Sequence, residues 1–122
     1  MAVVDEEILF IPQGARYLHT FTYMNDTGTA AKDLTGFSAQ MQIRASVDDD
    51  TILYDSATAG DLLITNAANG EFTLDIPASV TKGWTFLTGV YDIFLDPDGT
   101  NLGDDKIKYL KGEVETDPDV TR

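Results

Sequence analysis

One histidine, 21 carboxylates and no cysteine are the groups in this chain that could do chemistry. A lone histidine works as a general base only where a nucleophile and an orienting group meet it. No G-x-S-x-G elbow is present, and there is no thiol to activate. His19 alternates with Tyr17 and Phe21, which predicts a histidine at the edge of the core with a backbone partner. The carboxylates could pair for glycoside hydrolysis. They fall in turns and on strand faces, however, where hydration accounts for them, and a small domain leaves little room for a cleft. The run D-P-D-G-T-N-L-G-D-D at 96–105 has the composition of a calcium loop. An EF-hand needs oxygen ligands at positions 1, 3 and 5, glycine at 6 and glutamate at 12. Counted from Asp96, position 5 is Thr100, position 6 is Asn101 and position 12 is Ile107, so the motif fails. The weak metal candidates are then Asp96, Asp98, Asp104 and Asp105, set against a hairpin turn dressed with solubilising acids. No catalytic residue, resident metal or cofactor is expected.

The charge balance narrows the partners. Eight Lys and Arg stand against 21 Asp and Glu, a net charge of −13 that both halves of the chain share. Phosphate recognition needs clustered cations, so nucleic acid and anionic membranes are expected to be repelled. Without cysteine, disulfides and zinc thiolate sites are excluded. The start MAVVDEEILF lacks the basic and long apolar regions of a signal peptide. No run approaches the roughly 18 apolar residues of a membrane span. The expectation is synthesis in the cytosol and use in a soluble state or assembly.

The elements that must carry these residues read at period two. Tyr17, His19, Phe21 and Tyr23 share one face. Phe37, Ala39, Met41 and Ile43 share another, with Ser38, Gln40, Gln42 and Arg44 opposite. Short strands follow at Thr51–Asp55 and Leu62–Ile64, then Glu71–Ile76 after the turn A-A-N-G. A hairpin of Gly89–Leu95 and a strand from Ile107 closes the pattern. Pro77–Gly83 reads as a single helical turn, with proline near its start and glycine at its end. The 122 residues fit one domain, 1–122. The predicted fold class is all-β: a two-layer antiparallel sandwich of about seven to nine strands with at most one short helical turn. Tyr17, Phe21, Tyr23, Phe37, Met41, Ile43, Phe72, Leu74, Ile76, Tyr91, Ile93, Leu95 and Val114 form the predicted core. Strict alternation then sends Phe94 and Tyr109 outward as neighbours on one hairpin, beside Gln40, Gln42 and Arg44. Trp84 and Phe86 lie in a loop-like stretch, and Trp84 joins that candidate interface. The ends, Met1–Glu7 and Thr116–Arg122, are expected to be flexible or ordered only by a partner.

The order of the motifs adds a resemblance. I-P-Q-G-A-R-Y at 11–17 leads to D-L-T-G-F-S-A-Q-M-Q-I-R at 33–44, then N-G-E-F-T-L-D-I, G-V-Y-D-I-F-L and a terminal K-G-E-V-E-T-D-P-D-V-T-R. This series resembles small bacteriophage proteins related to the N-terminal domain of phage baseplate upper proteins, over about Ile11 to Arg122. The resemblance implies an immunoglobulin-like sandwich that docks a virion part of the tail, baseplate or fibre-attachment apparatus. It implies multiple copies, other virion proteins as partners, and location in a virion made in the host bacterial cytoplasm. It also implies that Gly36 and Phe37 open a core strand and that Tyr91 acts as a tyrosine corner. No fibre or trimerisation segment follows, so the domain is expected to be held by neighbours. Two other functions fit a stable sandwich: a capsid decoration (cement) protein and a calcium-dependent carbohydrate-binding module.

Overall fold

The computed structural model describes residues 5–24 and 27–118, in nine strands. The larger sheet is built from β1 (Asp5–Glu6), β2 (Leu9–Pro12), β4 (Ser38–Arg44), β5 (Ile52–Asp55), β8 (Thr88–Asp96) and β9 (Ile107–Asp117). Its order is β1-β9-β8-β4-β5, with β2 continuing beside β9 where β1 stops. The smaller sheet runs β3-β7-β6, from β3 (Tyr17–Thr22), β7 (Glu71–Ile76) and β6 (Leu62–Asn66). Sorting strands 3, 6 and 7 into one sheet and 4, 5, 8 and 9 into the other is the strand partition of an immunoglobulin variable-type sandwich. The chain is an immunoglobulin-like β-sandwich.

Two details depart from the predicted pattern. β1 and β2 pair parallel to β9, so the larger sheet is mixed rather than purely antiparallel. Helical turns number three among the described residues, not one: α1 (Ser56–Ala59), a 3-10 turn at Ala67–Asn69, and α2 (Ala78–Thr81) at the predicted place. α1 forms because Asp55 caps the Ala57 N–H and Gly60 closes the turn in the left-handed region. It also places the Ser56 hydroxyl on the Met41 N–H, at 2.8 Å, where β5 has already ended.

The inward residues of the two sheets make the core. Phe21, Met41, Ile43, Phe72, Leu74, Ile76, Tyr91, Ile93, Leu95 and Val114 are all buried, and Tyr17, Tyr23 and Phe37 pack half-buried against them. Phe21 stacks on Phe72 with centroids 5.2 Å apart. Leu9 and Ile11 of β2 are also fully enclosed. α2 is pinned to the body by Thr81, whose buried hydroxyl donates to the Ala15 carbonyl at 2.8 Å.

The N-terminal segment is held at two points. The Tyr91 hydroxyl donates to the Glu7 carbonyl at 2.7 Å, at the break between β1 and β2. A tyrosine corner bonds backbone a few residues upstream. This tyrosine instead ties down a segment 84 residues away, so the tyrosine-corner expectation is corrected. Gly112, opposite Tyr91 in register, leaves the space: a Cβ there would run into the Glu7 carbonyl. At the other point Gln13 N–H donates to the Asp117 carbonyl, and Thr116 N–H to that of Leu87. Asp5–Glu7 and Thr116–Asp117 are thus paired within the domain rather than loose; residues 1–4 and 119–122 lie outside the described residues.

Candidate docking face

β4 and β8 place Gln40 directly opposite Phe94, Gln42 opposite Asp92 and Arg44 opposite Val90. With Phe94, Asp92 and Val90 on the outer side, the inward partners Met41, Ile43, Ile93 and Leu95 fill the core. β9 brings Lys108 beside Phe94 and Lys111 beside Asp92, and the β8–β9 loop adds Lys106. The result is a shallow, open depression of about 650 Å³ on the larger sheet.

Its charge is opposite to that of the rest of the molecule. Arg44, Lys106, Lys108 and Lys111 line it, which is half of the eight basic residues of the chain. Only Glu6, Asp92 and Glu113 of the 21 acids do so, leaving 18 acids against four bases elsewhere. The Lys106 and Lys108 ammonium groups sit 5.2 and 5.3 Å from the Phe94 ring centroid, within cation–π range. Lys108 also approaches Asp92 at 3.7 Å, and Lys111 approaches Glu6 at 3.5 Å; both pairs are solvent-accessible and weak. Along β4, Gln40 and Gln42 each donate to the Asp55 carboxylate, while Arg44 donates to Gln42 and to the Asp49 carbonyl. These bonds fix the polar side chains in place. The face is therefore preformed, with a half-buried aromatic at its centre and cations and amides around it.

Two residues predicted for this face are elsewhere. Tyr109 points inward: its ring packs edge-on against Phe21, Tyr23 and Phe72, and its hydroxyl donates to the Thr22 carbonyl. The cause is a β-bulge. Ile93 pairs with Leu110 but Phe94 pairs with Lys108, so β9 carries one extra residue at Tyr109. Strict alternation fails at that step. Trp84 is buried, edge-on to Tyr54 at 5.5 Å and against Phe86 at 5.0 Å, so it closes the base of the core instead of presenting a surface. Three cationic contributors, Lys106, Lys108 and Lys111, escaped sequence reasoning. Their clustering at the start of the last strand, beside Phe94, was the signal available, hidden by the bulge between Lys108 and Lys111.

The acidic loop between β8 and β9 has a different architecture from a metal site. Asp96 is buried and accepts from the Asp98 N–H at 2.9 Å, the Gly103 N–H at 2.9 Å and the Thr100 hydroxyl at 3.2 Å. These donors, the Gly103 N–H foremost, hold its carboxyl below the usual carboxylate range. Asn101 takes a left-handed φ of 62° and exchanges hydrogen bonds with Ser38. Among the described residues no group of three or more His, Cys, Asp or Glu is arranged to hold a metal ion, so Asp96, Asp98, Asp104 and Asp105 form no cage. His19 is half-buried between the Tyr17 and Phe21 rings, 4.4 Å from the latter. Among the described residues no helix is long and apolar enough to cross a membrane.

No family model matches the chain, and no curated protein does. Among solved structures it is similar in shape to the extracellular domain of the voltage-gated sodium channel beta4 subunit, described as a parallel homodimer. That likeness has 13% identity, covers 98% of each chain and has a TM-score of 0.45. It is also similar to a ZIG-8–RIG-5 IG1–IG1 heterodimer chain, at 8% identity over 92% of this chain and 82% of that one, TM-score 0.41. The immunoglobulin-like assignment stands on the strand order of the chain itself.

Proposed function

We propose that this domain is a bacteriophage virion structural protein of the tail, baseplate or fibre-attachment apparatus, working by protein–protein docking rather than catalysis. It is present in multiple copies among other virion proteins, assembled from chains made in the host bacterial cytoplasm. The observation that carries the docking part is the outer face of the larger sheet. On a chain of net charge −13 this face combines an aromatic, Phe94, and an arginine, Arg44, the residue types that anchor interfaces, with three lysines that supply charge complementarity to an acidic partner. The virion setting rests on the ordered motifs from Ile11 to Arg122.

The other readings have less behind them. A capsid decoration protein would use the same face and differs only in address. A calcium-dependent carbohydrate-binding module needs a ligand cage that the described carboxylates do not form. Immuno-electron microscopy of intact particles separates the first two. Label at the tail or its tip is expected; label over the capsid shell would transfer the protein to the decoration class, and unlabelled particles would remove it from the virion.

A further inference from the structure

The β8–β9 loop is built to present one side chain. Leu102 is 85% exposed, the highest value among the large apolar residues of the described chain. An exposed leucine on a floppy loop needs no explanation, but this loop is braced from below. The buried Asp96 carboxylate gathers three donors of the loop, two of them backbone N–H groups. Asn101 sits in the left-handed region, which asparagine tolerates better than most non-glycine residues, and is locked to Ser38 from both sides. The next residue, Leu102, has its N–H on the Thr100 hydroxyl at 3.1 Å. These contacts hold the loop, and with it Leu102, in one conformation. Asp98, Asp104 and Asp105 of the same loop are all exposed.

That tip is the chemical complement of the face described above: an exposed leucine on an acidic loop against an aromatic that carries Lys106 and Lys108, with Arg44 and Lys111 on the same face. We infer that the occupant of the docking face is the 97–105 loop of a second copy of this chain, with Leu102 against Phe94 and Val90 and its acids against the cationic rim. The inference rests on the docking face proposed above and names its partner. Such a contact joins two different patches. It is a head-to-tail contact, one per neighbouring pair, which closes into a ring or propagates as a row of copies, as suits a component present many times in one assembly. Its polar part weakens as salt screens the charges.

The test uses the full chain in analytical ultracentrifugation over a concentration series, at low and high salt. Wild type is expected to associate, less so at high salt. Leu102→Asp and Phe94→Ser, each checked for an unchanged melting curve, are each expected to be monomeric. Leu102→Asp keeps an intact face and Phe94→Ser keeps an intact loop, so mixing them is expected to restore heterodimers and nothing larger. A wild type that stays monomeric into the millimolar range, or self-association untouched by either variant, overturns the inference, and so does a mixture that stays monomeric. Incorporation of Phe94→Ser into particles is scored separately. If it is lost while wild type is monomeric in solution, the face docks a different protein and only the choice of partner is wrong. If Phe94→Ser is incorporated normally while self-association depends on both residues, the inference stands and the virion contact lies elsewhere.

Discussion

The two outer faces of this sandwich have opposite chemistry. On the smaller sheet, Thr20, Thr73 and Thr65 link hydroxyl to hydroxyl across all three strands, at 3.0 and 2.9 Å. Arg16 forms a two-pronged pair with Asp75 at 2.8 Å from each nitrogen. Charge meets charge and hydroxyl meets hydroxyl within that face, which also exposes Leu18 and Leu63 beside the ladder. On the larger sheet the cations outnumber the acids, two ammonium groups share one phenyl ring, and the ion pairs are long. A face whose polar groups satisfy one another has only apolar area to offer a partner, here Leu18 and Leu63. A face with surplus cations around an aromatic gains both desolvated apolar area and charge complementarity. The same scaffold thus supports a side whose polar groups pair internally and a side with surplus cations around an aromatic, and the difference lies in side chains rather than in backbone.

The largest change is expected from removing what both faces rest on. Phe72 is fully buried, stacked on Phe21 and edge-on to Tyr109, so it joins the inner sides of both sheets. Phe72→Ala should cost about 3–5 kcal/mol, a large part of the roughly 5–15 kcal/mol available to a domain. Thermal melting should show gross destabilisation or an unfolded chain. A melting curve like that of wild type would mean that the sheets do not pack as described.

A smaller and one-sided effect is expected at Asp96. Its folded-state carboxyl titrates below its ordinary value because loop donors stabilise the charge. Its contribution is therefore complete above the unfolded-state value and is lost as pH falls through the depressed folded-state value. Asp96→Asn should lower the melting temperature at neutral pH, and the gap from wild type should narrow as pH is lowered past the normal carboxylate range. A gap that stays constant with pH would show that the loop is held by something other than this charge. Hydrogen exchange should loosen in residues 97–105 and remain unchanged in the threonine ladder.

Much of this was legible in the chain, and the misses have physical causes. The alternation of Phe72, Leu74 and Ile76, and of Met41 and Ile43, gives the correct inner faces because those stretches pair without interruption. Phe94 is outward because β8 pairs with β4 without a shift, the extra residue of the bulge lying in β9. Tyr109 is misassigned because a bulge adds one residue to one strand, which no local periodicity announces. Trp84 sits in a loop, where there is no period to read, and its burial comes from Tyr54 and Phe86. β2 offers only Leu9 and Ile11 as alternating positions before Pro12, too brief a signal for a strand that pairs parallel with one a hundred residues on. The cationic face is non-local in the same way, since Arg44 reaches the lysines only through the β4–β8–β9 order.

Whether the two outer faces differ in docking is decided by one paired measurement. Phe94→Ser alters the larger sheet's face, and Thr73→Val alters the centre of the ladder on the smaller sheet. Each variant is to be produced during infection in competition with wild type, after confirming that its melting temperature lies within a few degrees. The fraction of each built into purified particles is then counted by mass spectrometry. The expected result is a strong deficit of Phe94→Ser and near-equal incorporation of Thr73→Val. Equal incorporation of both, or a deficit confined to Thr73→Val, would contradict the assignment of docking to the cationic face.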